Sequence, residues 1–175
     1  MKNLCITLVS VFFLAFIGSL NAQENPKLSD AEVASVAVVA NQIDIAYAEI
    51  AKEKSKDPEI VKFADTMIRD HNAVLGQASA LVKKLGVTPK DNAVSQQLLA
   101  GADKTKKSLR GKSGKAFDKD YIDNEVSYHK AVISTVQTVL IPETENQELK
   151  DLLQGILPAL NTHLSHAEMV QKMFK

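Results

Sequence analysis

His71, His129 and His163 occupy positions in this 175-residue chain where a hydrophobic core would be expected. Each falls in the apolar stripe of a different predicted helix, and a fourth helix carries Asp44 on the flank of its own stripe. Leaving such groups buried without partners costs roughly 2–7 kcal/mol each. They must therefore satisfy one another or hold something. Neutral imidazole is a common ligand for zinc, copper and iron. Three imidazoles and one carboxylate would fill a four-coordinate shell. Glu125 lies one turn before His129 on the same face and can join the set. The candidate centre is thus Asp44, His71, His129 and His163, with Glu125 as a fifth ligand, around one divalent ion such as zinc, iron or copper. Asp70, about 100° around the helix from His71, is placed to support a ligand or to face water. Imidazoles with an unperturbed pKa near 6.5 would lose such an ion below roughly pH 6.

Other chemistries find little support. The single cysteine, Cys5, lies in the N-terminal apolar segment, so residues 23–175 contain no thiol. Disulfides, thiolate sites and covalent haem are excluded there. No Ser/His/Asp set or glycine-rich phosphate loop can be placed. Di-iron bundles use Glu-x-x-His on two helices, and neither His129 nor His163 has Glu three residues before it. An enzyme ranks behind two other readings. One is a metal-binding protein. The other is a non-catalytic envelope interaction or stress protein whose histidines form a structural polar network.

The elements that must position these residues are helices. Residue 2 is lysine, residues 4–20 form an apolar run, and Asn21-Ala22-Gln23 follow. This predicts a signal peptide over residues 1–22, cut after Ala22, and a periplasmic location with loose outer-membrane association. Residues 23–28 form a flexible lead, and residues 29–175 one domain. The remaining charges nearly cancel and give no drive toward nucleic acid.

Ser29 and Glu32 form a capping box for the first helix, with its stripe at Val33, Val36, Ala40, Ile43, Tyr47 and Ile50. Asp57-Pro58 starts the second, whose stripe runs from Ile60 through Ala64, Met67, His71, Val74, Ala78 and Leu81 to Leu85, before Gly86. A tight turn near Asp57 brings Asp44 level with His71. Residues 92–109 form a shorter helix. Residues 103–115 hold six basic residues against Asp103 and read as a solvated loop, or as a weak contact for an anionic envelope surface through residues 104–115. A long helix over 116–140 should end at Pro142. The last, over 146–174, should kink at Pro158. None of these amphipathic helices should span a bilayer. Two tight helical hairpins joined by a longer crossover give an all-α, ferritin-like up-down four-helix bundle with an extra short helix in the crossover.

Asp57-Pro58-Glu59, Phe63-Ala64, Met67 and Asp70-His71 resemble a family of exported bacterial proteins. So do Phe117-Asp118, Tyr121 and His129, and Leu157-Pro158 with His163-Leu164. The family is known as a domain of unknown function and often described as outer-membrane proteins. The resemblance covers about residues 28–174 and implies a ferritin-like fold, with no assigned chemistry. One departure is Asp44, where the family usually carries Glu.

Overall fold

The computed structural model describes residues 27–174. The expected signal peptide, and all but the end of the flexible lead, lie outside these residues. The described chain is all-α: α1 (Asp30–Lys54), α2 (Pro58–Leu85), α3 (Ala93–Arg110), α4 (Gly114–Thr135), a π-helical turn (Val136–Leu140), α5 (Ile141–Glu143), α6 (Gln147–Gln171) and a terminal 3₁₀ turn (Lys172–Phe174). No strand occurs among the described residues.

The local signals act as the sequence requires. Ser29 and Glu32 close the capping box on α1. Asp57 accepts from the Glu59 and Ile60 amides, with Pro58 at the first helical position. Gly86 ends α2 at φ 65°, a left-handed conformation that favours glycine. Asn92 caps α3. The Asn92 side chain also donates to the Glu32 carbonyl, and the Lys90 amide donates to Ala31, so the crossover is fastened to the start of α1.

The core has two parts. One gathers Ile43, Tyr47 and Ile50 of α1, Ile60, Phe63 and Met67 of α2, Phe117, Tyr121 and Ile122 of α4, and Ala167 and Val170 of α6. The other gathers Val33 and Val36 of α1, Ile133 of α4, Val136 and Leu140 of the π turn, and Leu149, Leu153 and Leu160 of α6. Residue order along each helix then fixes direction. α1 and α6 run from the second cluster to the first, and α4 runs the opposite way. α2 starts in the first cluster and is antiparallel to α1. α3 carries Leu98 near both clusters and Ala102 and Leu109 into the first, running alongside α1 and returning the chain to the start of α4. Because α3 covers a second side of α1, α1 is buried over more than one face. α1 is also long and apolar enough, by length and composition, to cross a bilayer, but more than half of its most apolar window is buried inside the fold.

Three sequence expectations change. The lysine-rich stretch is not a loop. Residues 103–110 finish α3, and Gly114 already opens α4. Leu109 on its inner side is buried, and this apolar anchor holds the segment in a helix. Lys106 pairs with Asp103 and Lys112 with Asp120, which lowers the free positive charge. Pro142 does not end the fourth helix, which continues to Glu143. A π turn precedes it, with the Ile141 amide donating five residues back to Val136. This shifts the backbone where the proline ring would press on the preceding turn. Finally, the buried stripe of α2 stops at His71, and Val74, Ala78, Leu81 and Leu85 are not fully covered. α6 runs through Pro158 as one helix.

Both hairpins are tied at their turns. Ser55, the C-cap of α1, donates to Asp118 Oδ1 at 2.6 Å and accepts from the Asp57 amide. Both side chains are buried, and the contact joins the first hairpin to the start of α4. At the opposite end Asp30 accepts from the Glu145 and Asn146 amides, clamping α1 to the turn before α6. Asp118→Ala should cost about 2 kcal/mol, because it strands the buried Ser55 hydroxyl. Urea unfolding measures it, and a loss below about 0.5 kcal/mol would mean the contact carries no weight.

Candidate metal centre

The four inward polar positions meet where the two clusters join. On α1 the border falls at Asn41 and Asp44, on α2 at His71, on α4 at His129 and on α6 at His163. All five side chains are buried. The three imidazole rings form a triangle with centroid separations of 5.3, 5.6 and 5.9 Å. Asp44 is not on the flank of α1 but at the centre, with no exposed surface. Its Oδ2 lies 3.5 Å from His71 Nε2 and 3.6 Å from His129 Nε2.

Each imidazole has one nitrogen held by a fixed acceptor. His71 Nδ1 lies 2.7 Å from Asn41 Oδ1. The Asn41 amide nitrogen itself donates to the Ala37 carbonyl, so its oxygen must face the ring. His129 Nδ1 donates to the Glu125 carbonyl at 2.9 Å. His163 Nε2 faces Asp70 Oδ2 at 3.1 Å. In a neutral ring each acceptor sets the tautomer and directs the lone pair to the other nitrogen. Those other nitrogens, His71 Nε2, His129 Nε2 and His163 Nδ1, are buried and have no hydrogen-bond partner, as are both oxygens of Asp44. Asp70 is therefore the support of His163, one of the two roles open to it in sequence.

Glu125 is fully buried, with both oxygens unpartnered. It stands with Asp44 and His129, 3.6 Å from His129 Nδ1, on the side of the first core cluster. His71, His129 and His163 form one group of potential ligand atoms within 4.8 Å of one another, and Asp44, Glu125 and His129 form a second. The predicted residues thus fall into two groups that share His129, and both Asp44 and Glu125 belong to the carboxylate group and not to the three-histidine group. His166 lies outside the centre, half-buried with its ring against Phe63.

Sequence reasoning missed Asn41. Its signal was available: a polar residue one turn before Asp44 on an otherwise apolar helix. Tyr121, whose buried hydroxyl lacks a partner, was likewise assigned no role.

Electrostatics here follow burial. Loss of water, together with the neighbouring rings, pushes His71 down to about 3. Burial brings His129 down to about 4 against the opposing pull of the Glu125 carbonyl. Burial raises Asp44 to about 8. Glu125 rises well above its ordinary range through burial and then through Asp44. Without an ion, the His71 and His129 rings and the two carboxyls are neutral at pH 7, a state these walls can hold. His71 and His129 stay unprotonated far below pH 6, so the acid loss expected from free imidazole does not begin there.

A family model described as a domain of unknown function, DUF4142, matches residues 18–170. No curated protein matches the chain. Among solved structures, "CopM in the Cu(II)-bound form" aligns with 85% of this chain and 100% of that one, at a TM-score of 0.63 and 18% identity. At that identity the likeness is one of fold, an all-α helical bundle.

A stability prediction follows for metal-free protein. A carboxyl raised in the folded state holds a proton that the unfolded chain has released, so its contribution is lost as pH rises from about 4 to about 8. A histidine lowered in the folded state acts oppositely, and its contribution is lost as pH falls from about 6.5 toward 3. The two trends oppose each other below about pH 6.5, and only the carboxyl trend remains above it. Chelator-stripped protein should therefore lose melting temperature between pH 6.5 and 8, and Asp44→Asn should flatten that decline. An unchanged or rising melting temperature over this window would contradict neutral buried carboxyls.

Proposed function

The chain belongs to the DUF4142 family, and on that footing we propose that it is a metal-binding helical protein in which His71, His129, His163 and Asp44 hold one divalent transition-metal ion. One observation carries the reading. Three imidazoles from three helices each have one nitrogen fixed by an acceptor and the other buried and unpartnered, with the buried Asp44 carboxyl beside the free nitrogens of His71 and His129. Fixing the outer nitrogen to orient the inner one is how proteins hold metal-ligating histidines. An ion would sit about 2.0–2.1 Å from each ligand atom, so binding draws the side chains slightly inward. Glu125 supplies a further oxygen beside Asp44. Zinc, copper and iron all suit this donor set. The CopM structure holds Cu(II), which puts copper first among the ions to try.

What weighs against a purely structural polar network is distance. The Asp44 carboxylate is 3.5 Å or more from the imidazole nitrogens it faces, beyond a hydrogen bond. The hairpin order α1–α2, crossover α3, α4–α6 also supports the ferritin-like topology expected from the sequence. The N-terminal apolar run supports export to the periplasm.

Calorimetric titration of chelator-stripped protein with zinc, copper and iron(II) near neutral pH tests the centre. One ion should bind per chain. At a free concentration 100 times Kd, it should stabilise the fold by about 2.7 kcal/mol. His71→Ala and His163→Ala should abolish that gain and leave a helical protein. Asn41→Ala touches no ion and should still weaken binding about 10- to 100-fold. Below about pH 8 binding should displace the Asp44 proton, raising affinity by at least about tenfold per pH unit, and Asp44→Asn should make that slope shallower by about one proton. No binding of any of the three ions would end the reading.

Location is tested separately. Cell fractionation should recover the protein in the periplasm. Any envelope-associated part should be released by salt if the basic flank of residues 104–115 makes the contact. Full-length chain retained in the inner membrane would refute export as a periplasmic protein.

A further inference from the structure

Above the polar layer, on the side of the second core cluster, lies a cavity of about 150 Å³. Its floor is the centre itself: Asp44, His71, His129 and His163 all line it. Its walls are otherwise nearly all apolar, with Ala37 and Ala40 of α1, Val132 of α4 and Val136 of the π turn among them. The cause is visible in the sequence. α2 supplies no buried residue after His71, and the helices around the gap present alanines where larger side chains would meet. The Tyr128 hydroxyl, also on the wall, is already engaged with the Ala40 carbonyl. Ala131 and Ala159 line the cavity and are exposed, so its rim reaches solvent.

Native cores rarely leave such a space, because lining atoms without partners forfeit dispersion contacts. An apolar cavity of about 150 Å³ in another protein stays dry and takes up benzene or xenon. Here the walls offer no lysine or arginine to hold an anion, and the unpartnered nitrogens and oxygens of the floor present almost no surface on which to fix a chain of waters. We propose that this cavity is a binding site for one small, neutral, apolar molecule no larger than a benzene ring, seated with one edge against the imidazole layer. Occupancy rests on the shape and chemistry of the walls and does not require the metal.

The test uses chelator-stripped protein, so its failure and that of the metal reading are distinguishable. Benzene should raise the melting temperature saturably, and benzoate, the same ring with a charge, should not. Val132→Phe and Ala37→Leu, which grow into the cavity from different helices, should each abolish the benzene effect while still binding the metal that wild type binds. Xenon-pressurised crystals of the wild-type protein should show one xenon atom between Val136 and the imidazoles, a readout independent of whether either variant folds. The proposal is overturned if benzene gives no shift, if benzoate matches it, if the filled variants respond like wild type, or if xenon is absent from the cavity.

Discussion

Everything in this bundle is arranged around one layer of groups that cannot be packed as hydrocarbon. Asp44, His71, His129 and His163 come from four helices and meet at one level. The apolar core therefore stops on one side and resumes on the other. Hydrophobic burial drives helices together without direction. A polar layer adds direction, because sliding any helix by one turn would place a charge-bearing group against leucine and remove its partner. The supports show how firmly this is set. Asn41 can present only its oxygen to His71, since its nitrogen is committed to Ala37.

The helices were legible from sequence because their signals are local. Ser29, Asp57, Gly86 and Asn92 each mark a boundary through chemistry that needs no tertiary information. The matching level of Asp44 and His71 was legible for a related reason, since counting residues outward from the tight turn near Asp57 gives it, whereas His129 and His163 joined them only through their shared place on inward apolar stripes. What was not legible depended on neighbours. Asp44 looks peripheral on a wheel of α1 alone. It becomes central because His71 of α2 and Glu125 and His129 of α4 close around it. Pro142 looks like a stop because the rule assumes regular α geometry, and a π turn steps around it. The lysine-rich stretch looks like a loop until Leu109 is seen buried beneath it.

The same burial that makes the centre costly without a guest also sets its charge. His71 and His129 are kept neutral by exclusion of water, which is the protonation state a cation requires of them. The carboxyls are kept neutral by the same exclusion, which is not. A cation arriving here must therefore displace a proton from oxygen while finding nitrogen already free. Selectivity between ions then turns on how strongly each competes for a carboxylate against a proton, a property in which zinc, copper and iron differ.

The uneven burial of α2 has a kinetic side. Up to His71 the helix is anchored by Ile60, Phe63, Ala64 and Met67. Beyond it no residue is fully enclosed. Local opening is easiest where few apolar contacts must be broken, so the second half of α2 can loosen while the first half stays seated. His71 stands at that junction. Access to the interior would then need only the opening of a few helical turns rather than the unfolding of the bundle.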